Sequence, residues 1–169
     1  MKNKYILIIL ALIVVGAGAY LVVAKKVGVG NSGGNKNTVN LYYYNLTEDR
    51  KIADYVPCDP KAVLPVEREI SNDVDRVQET VKLLFGGNLV DSEKVQGFEP
   101  KISNTFSLKQ VSLENGVLTV EVGLLPGKFY AGSCLTTIFG TELNQTIKQF
   151  PEIREVQLEP KNLFNEGDI

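Results

Sequence analysis

"LKQVSLENGVLTVEV", Leu108 to Val122, is the stretch that decides what kind of fold this chain builds. Two alternating runs, Leu108 to Leu113 and Val117 to Val122, flank Asn115-Gly116. That dipeptide accepts positive φ at both central positions of a two-residue turn, so the pair predicts a β-hairpin. In the second run Leu118, Val120 and Val122 share a wholly apolar face, while Val117, Thr119 and Glu121 share the other. A sheet with one apolar face needs a covering layer, and the flanking sequence supplies it.

On the C-terminal side, Leu124 to Gly132 reads as a loop around Pro126-Gly127. Ser133 is placed to cap a helix reaching about Phe150, and Pro151 ends it. The helix carries an apolar stripe of Leu135, Ile138, Phe139, Leu143, Ile147 and Phe150. Ile153 to Glu159 follows as a last strand.

On the N-terminal side, "TVNLYYYN" from Thr38 alternates as a strand, with Val39, Leu41 and Tyr43 opposite Asn40, Tyr42 and Tyr44. Leu46 to Ala62 reads as a loop, with Pro57 and Pro60 around Cys58. "VLPVEREI", Val63 to Ile70, is a strand whose Pro65 suggests an edge. Ser71, Asn72 and Asp73 are helix N-cap candidates. Val74, Val77, Val81 and Leu84 follow at helical spacing, and Gly86-Gly87 closes the helix. Asp91 caps a short turn through Val95, and Gly97 to Thr105 looks irregular. The order is β-β-α-β-β-α-β. The expected class is α+β, a two-layer sandwich with one mixed sheet and two main helices packed on it.

The first residues are of another kind. Tyr5 to Ala24, "YILIILALIVVGAGAYLVVA", has no charge. As a helix it spans about 30 Å, the hydrocarbon thickness of a bilayer. Residues 1–26 therefore read as a membrane anchor, with cleavage after Ala17-Gly18-Ala19 as the alternative. No cysteine follows that would carry a lipid. "VGVGNSGGNKN", residues 27–37, reads as a flexible linker, residues 38–160 as the domain, and 161–169 as a polar tail. The expected location is the cell membrane, single-pass, with the domain extracytoplasmic, or secreted if the segment is cleaved. All 20 acidic residues follow residues 1–26, as do all 18 basic ones except Lys2, Lys4, Lys25 and Lys26. The exported part is net acidic, which argues against a nucleic-acid partner.

Several runs resemble the GerM (GerMN) domain family, named for sporulation and spore germination. They are the strand "LPVEREI", the helix "VQETVKLLFGG", "GF" at Gly97-Phe98, the hairpin "VSLENGVLTVEV" and "GSC…LNQTIKQFPEIREVQL". The resemblance implies an extracytoplasmic, non-catalytic α/β domain that helps assemble or stabilise a membrane-spanning complex between two cells. It implies envelope or membrane protein partners, self-association among them, and no cofactor. One domain copy and an apparent helix anchor depart from the two-copy, lipid-anchored arrangement known in the family.

The chemistry-bearing residues are few. There is no histidine, which removes Ser-His and Cys-His catalysis and His-ligated zinc. Two cysteines cannot make a four-cysteine metal site. Glu67 and Glu69 share a strand face; a carboxylate hydrolase is one reading and a solvated strand face the other. Arg68 lies on the opposite face with Leu64, Val66 and Ile70, where burial would require a carboxylate partner. Tyr42 and Tyr44, with Phe129 and Tyr130, offer a stacking surface for cell-wall glycan or a partner protein, against the alternative of plain packing. Asn45 and Asn144 begin glycosylation sequons. Cys58 and Cys134 are a candidate disulfide if the domain is exported, the alternatives being two free thiols or one reactive thiol.

Overall fold

The computed structural model describes residues 37–52, 58–128 and 132–161. The anchor segment Tyr5–Ala24, linker residues 27–36, Phe129, Tyr130 and the tail beyond 161 lie outside them, whereas Asn37, expected in the linker, already belongs to the first strand. Among the described residues no helix is long and apolar enough to cross a membrane.

The chain runs β1 (Asn37–Asn45), α1 (Leu46–Asp49), a 3-10 turn (Pro60–Ala62), β2 (Val63–Ile70), α2 (Arg76–Gly86), α3 (Asp91–Val95), β3 (Phe98–Glu99), β4 (Phe106–Glu114), β5 (Val117–Leu124), α4 (Ser133–Ile147) and β6 (Glu155–Glu159). The hairpin forms as its turn dictates. Asn115 and Gly116 have φ of 51° and 79°, and Glu114 pairs with Val117 across them. Leu118, Val120 and Val122 are buried.

The class is α+β, but the single expected sheet is two. One is antiparallel, in the order β2-β1-β3; the other is β4-β5-β6, with β5 and β6 parallel. The reason lies at the second edge of β1. Beyond the two residues that meet β3, no strand among the described residues takes that edge. Side chains of α4 and the turn after it take it instead. Asn40 N donates to Gln149 Oε1 at 3.1 Å, Tyr42 N to Thr146 Oγ1 at 3.0 Å and Tyr44 N to Glu142 Oε1 at 2.9 Å. Strand donors recur every second residue, and the helix answers at spacings of four and three along one face. A helix thus stands where a fourth strand would, and the sheet stops.

Pro65 sits on β2, an edge strand, opposite Tyr42. Tyr42 N points to α4, so this is a non-hydrogen-bonded pair, and the N–H that proline lacks would have faced outward. The two sheets share one core. Val77, Val81 and Leu84 of α2 meet Val39 and Leu41 of β1, the buried face of β5, and Phe139 and Leu143 of α4. Phe106 packs edge-on to Phe139 with ring centroids 4.9 Å apart.

Element ends differ from expectation. Asp75, not Ser71 to Asp73, caps α2 by accepting from Gln78 N at 2.8 Å, which leaves Val74 outside the helix and 39% exposed. Gly132, not Ser133, is the N-cap position of α4, and α4 ends at Ile147 rather than Phe150. Val90 precedes α3 as its cap residue, with Asp91 in the first turn. The supposed loop Leu46–Ala62 contains α1 and the 3-10 turn, and Gly97–Thr105 contains β3. β6 begins at Glu155 rather than Ile153.

Candidate functional site

The end of the domain around Cys58 is a built structure. Cys58 and Cys134 are joined by a disulfide with Cα atoms 5.4 Å apart. Cys134 lies in the first turn of α4, and Cys58 adopts φ of 72° in the loop before the 3-10 turn. Asp49, at the end of α1, is fully buried and holds that loop. Its Oδ2 accepts from Cys58 N at 3.3 Å and its Oδ1 from Asp59 N at 2.9 Å. The same Oδ2 accepts from Tyr44 Oη at 2.8 Å.

Tyr44 is therefore not part of a stacking surface. It is 2% exposed, in a small cluster with Ala62, Val63 and Ile138. The segment 58–63 covers the second face of β1, so alternation along this strand does not separate core from solvent. Tyr42 is only half-buried and packs against the same cluster. The structure does not bring the two tyrosines together as a platform, and Phe129 and Tyr130 lie outside the described residues. Asn45 is also buried: its Oδ1 accepts from Glu48 N and its Nδ2 donates to Gln96 O, so it is a structural residue rather than a glycan acceptor.

On β2, Glu67 and Glu69 are exposed. Among the described residues no group of three or more His, Cys, Asp and Glu could hold a metal ion. Arg68, on the other face, meets Glu93 of α3 in a two-pronged pair, Nη1 to Oε1 at 2.7 Å and Nη2 to Oε2 at 2.6 Å. Its Nη2 also donates to Asn88 O at 2.9 Å. The Arg68 guanidinium holds the Glu93 carboxyl below the ordinary range, helped by Val90 N, which donates to Oε2 at 2.9 Å.

Glu142 is a site residue that the sequence reading passed over. It is fully buried in α4, with Oε1 on Tyr44 N and Oε2 on Ile102 N at 3.2 Å. Burial pushes its carboxyl up to about 8, against the pull of backbone N–H donors from Tyr44, Ile102 and Lys101 and of the Lys101 charge. A signal was present: residue 142 is four after Ile138, on the helix row that also holds Thr146.

An open feature among the described residues is the seam between α4 and β6. In a strand–helix–strand unit the helix ordinarily packs over both strands. Here α4 packs on β1 and α2, and Val156 and Leu158 of β6 pack only partly buried against the core that holds Phe139 and Leu143, with a cavity left between. The gap is a trough of about 290 Å³ lined by Thr136, Phe139, Gly140, Leu143, Val156 and Leu158. A second, of about 500 Å³, continues it past Ile147 and Ile153. Asn144 and Val156 line both. β6 is the edge of its sheet among the described residues, so alternate backbone groups face outward beside the trough. Gly140, in the middle of α4, lies in the trough wall. A Cβ added there would meet no atom within 4 Å. A mid-helix glycine is about 0.5–1 kcal/mol less favourable than alanine, and nothing within the described domain requires it.

A solved structure is similar to this chain. It is the tandem GerMN domains of the sporulation protein GerM from Bacillus subtilis, with 16% sequence identity and a TM-score of 0.47. The similarity covers 81% of this chain and 43% of that one, so the chain spans less than half the length of that structure. No family model matches the chain, and no curated protein matches it.

Proposed function

We propose that this chain is a membrane-tethered, extracytoplasmic interaction domain that assembles or stabilises a protein complex of the cell envelope, of the sporulation or germination type. It works by binding rather than by catalysis. The observation that carries this reading is the outer edge of β6, unpaired among the described residues, beside the trough along α4. The apolar segment Tyr5–Ala24 supports the tether, and the GerMN-like runs support the envelope setting. The glycan-binding reading loses its main support with the burial of Tyr44.

Crosslinking of the full chain in its native cell, read by mass spectrometry, tests the proposal. Crosslinks to envelope or membrane proteins are expected. A domain that stays monomeric and crosslinks to no envelope protein would overturn it. Retained function after Glu67→Gln with Glu69→Gln is expected as well; loss of function in that pair would favour the hydrolase reading.

A further inference from the structure

We infer that the α4–β6 seam is a docking site for an extended segment of a partner polypeptide. This segment adds to the outer edge of β6, carries apolar side chains at alternate positions and has a lysine or arginine at each end. The inference rests on the interaction-domain reading above and goes further by naming the surface and the chemistry of its occupant.

Three features converge on the seam. The first is the outer edge of β6, unpaired among the described residues, whose backbone groups can continue the ladder begun by β5. The second is the trough itself, with Val156 and Leu158 half-buried on its floor side and Leu143 opposite them. A strand laid on β6 would direct every second side chain towards α4, and apolar ones fit that wall. The third is Gly140. Its missing side chain keeps the trough open at mid-length, although no atom of the described domain needs the space.

Charge selects among occupants. Glu155, Gln157 and Glu159 share the face of β6 away from the trough, and Glu121 of β5 stands directly beside Glu159 in register. If two copies paired β6 to β6 about a twofold axis at Gln157, each Glu155 would face the other copy's Glu159. Like charges directly opposite on neighbouring strands repel. A second copy docked by this strand is therefore disfavoured. A strand with cations opposite Glu155 and Glu159, and apolar residues opposite Val156 and Leu158, is complementary at every position.

The test uses the full chain in lipid nanodiscs and three fluorescein-labelled peptides. One has the core Lys-Val-Thr-Val-Lys, one has glutamate in place of both lysines, and one is the lysine peptide N-methylated at the threonine and the valine after it, so that one methyl group must fall on the ladder side. The lysine peptide is expected to bind at least about tenfold more tightly than either of the others, because one lacks charge complementarity and the other a ladder donor. It should also slow hydrogen exchange within Glu155–Glu159. Gly140→Leu, which fills the trough, is expected to weaken its binding at least about tenfold while the melting temperature is kept. Equal binding of all three peptides, no binding of any, or undiminished binding to a folded Gly140→Leu chain would each overturn the inference. So would a concentration-dependent dimer abolished by Gly140→Leu, which would assign the seam to a second copy. In-cell crosslinks that persist unchanged in Gly140→Leu would sink the docking site while leaving the interaction-domain reading standing.

Discussion

Glu142, in the middle of α4, accepts the backbone N–H of Tyr44 in β1 at 2.9 Å, and neither the carboxylate nor the strand donor is reachable by water. The bond does for the strand what a neighbouring strand would ordinarily do. A buried backbone donor without a partner costs about 1–3 kcal/mol, so the helix side chains are part of how the sheet ends. Thr146 and Gln149 repeat the arrangement for Tyr42 and Asn40.

Because burial lifts the Glu142 carboxyl to about 8 from its ordinary 4.5, the folded state holds a proton that the unfolded chain has released between those two values. Stability therefore falls as pH rises through that window. The contribution is fully present below the unfolded value and gone above about 8. Thermal melts across pH 5 to 8 should show the melting temperature dropping for the native chain. Glu142→Gln should flatten that slope, whatever its offset at any one pH. A slope that survives the substitution would move the effect to another group.

Arg68 and Glu93 tie β2 to α3 with 18% and 15% side-chain exposure. The charge-assisted, two-pronged geometry makes this pair worth more than an exposed ion pair. Arg68→Ala should destabilise the domain by about 1–3 kcal/mol, since it also leaves Asn88 O without this donor. Glu93 titrates below its ordinary value, so the pair's contribution is present above the unfolded value and is lost as pH falls through the depressed one. Denaturant melts of Arg68→Ala at neutral pH and at pH 3 check both points. The gap between variant and native chain should shrink in acid.

The Cys58–Cys134 bridge closes a loop spanning a sequence separation of 76. Cross-linking a loop of that length constrains the unfolded chain by an amount worth about 4 kcal/mol in the chain-entropy model, with about 2–4 typical in practice. Cys58→Ser with Cys134→Ser should lower stability by about 2–4 kcal/mol in oxidising buffer. It should also raise hydrogen exchange in α1 and the first turn of α4. The native chain under a strong dithiol reductant should match the variant. Unchanged melting of the double variant would mean that the Asp49 hydrogen bonds to Cys58 and Asp59 hold the loop unaided.

The hairpin, both main helices and the edge character of β2 were legible in the sequence because each depends on local chemistry. A two-residue turn needs positive φ at Asn115 and Gly116, a helix face needs Val77, Val81 and Leu84 at its spacing, and Pro65, lacking an N–H, fits only where that donor would face outward. The split into two sheets was not legible. Whether β1 meets a strand or the polar row of Glu142, Thr146 and Gln149 depends on pairing over about a hundred residues, which periodicity does not encode. Alternation could not decide between packing and exposure for Tyr44, for a related reason. When both faces of a strand are covered, alternation carries no inside–outside signal. The trough was invisible because the separation of α4 and β6 is set by tertiary packing and not by any local pattern.

Gly140 sits in a helix interior where a methyl group would meet nothing within 4 Å. Gly140→Ala should therefore raise stability by about 0.5–1 kcal/mol, the ordinary helix-propensity gain, because no clash offsets it. Equilibrium denaturation of the two chains measures this directly. A stabilised alanine variant would mean that the native glycine is retained at a cost to folding, as a position selected for close approach of another chain would be. A neutral or destabilised variant would mean that α4 is held by contacts the alanine disturbs, and the glycine would then need no explanation outside the fold.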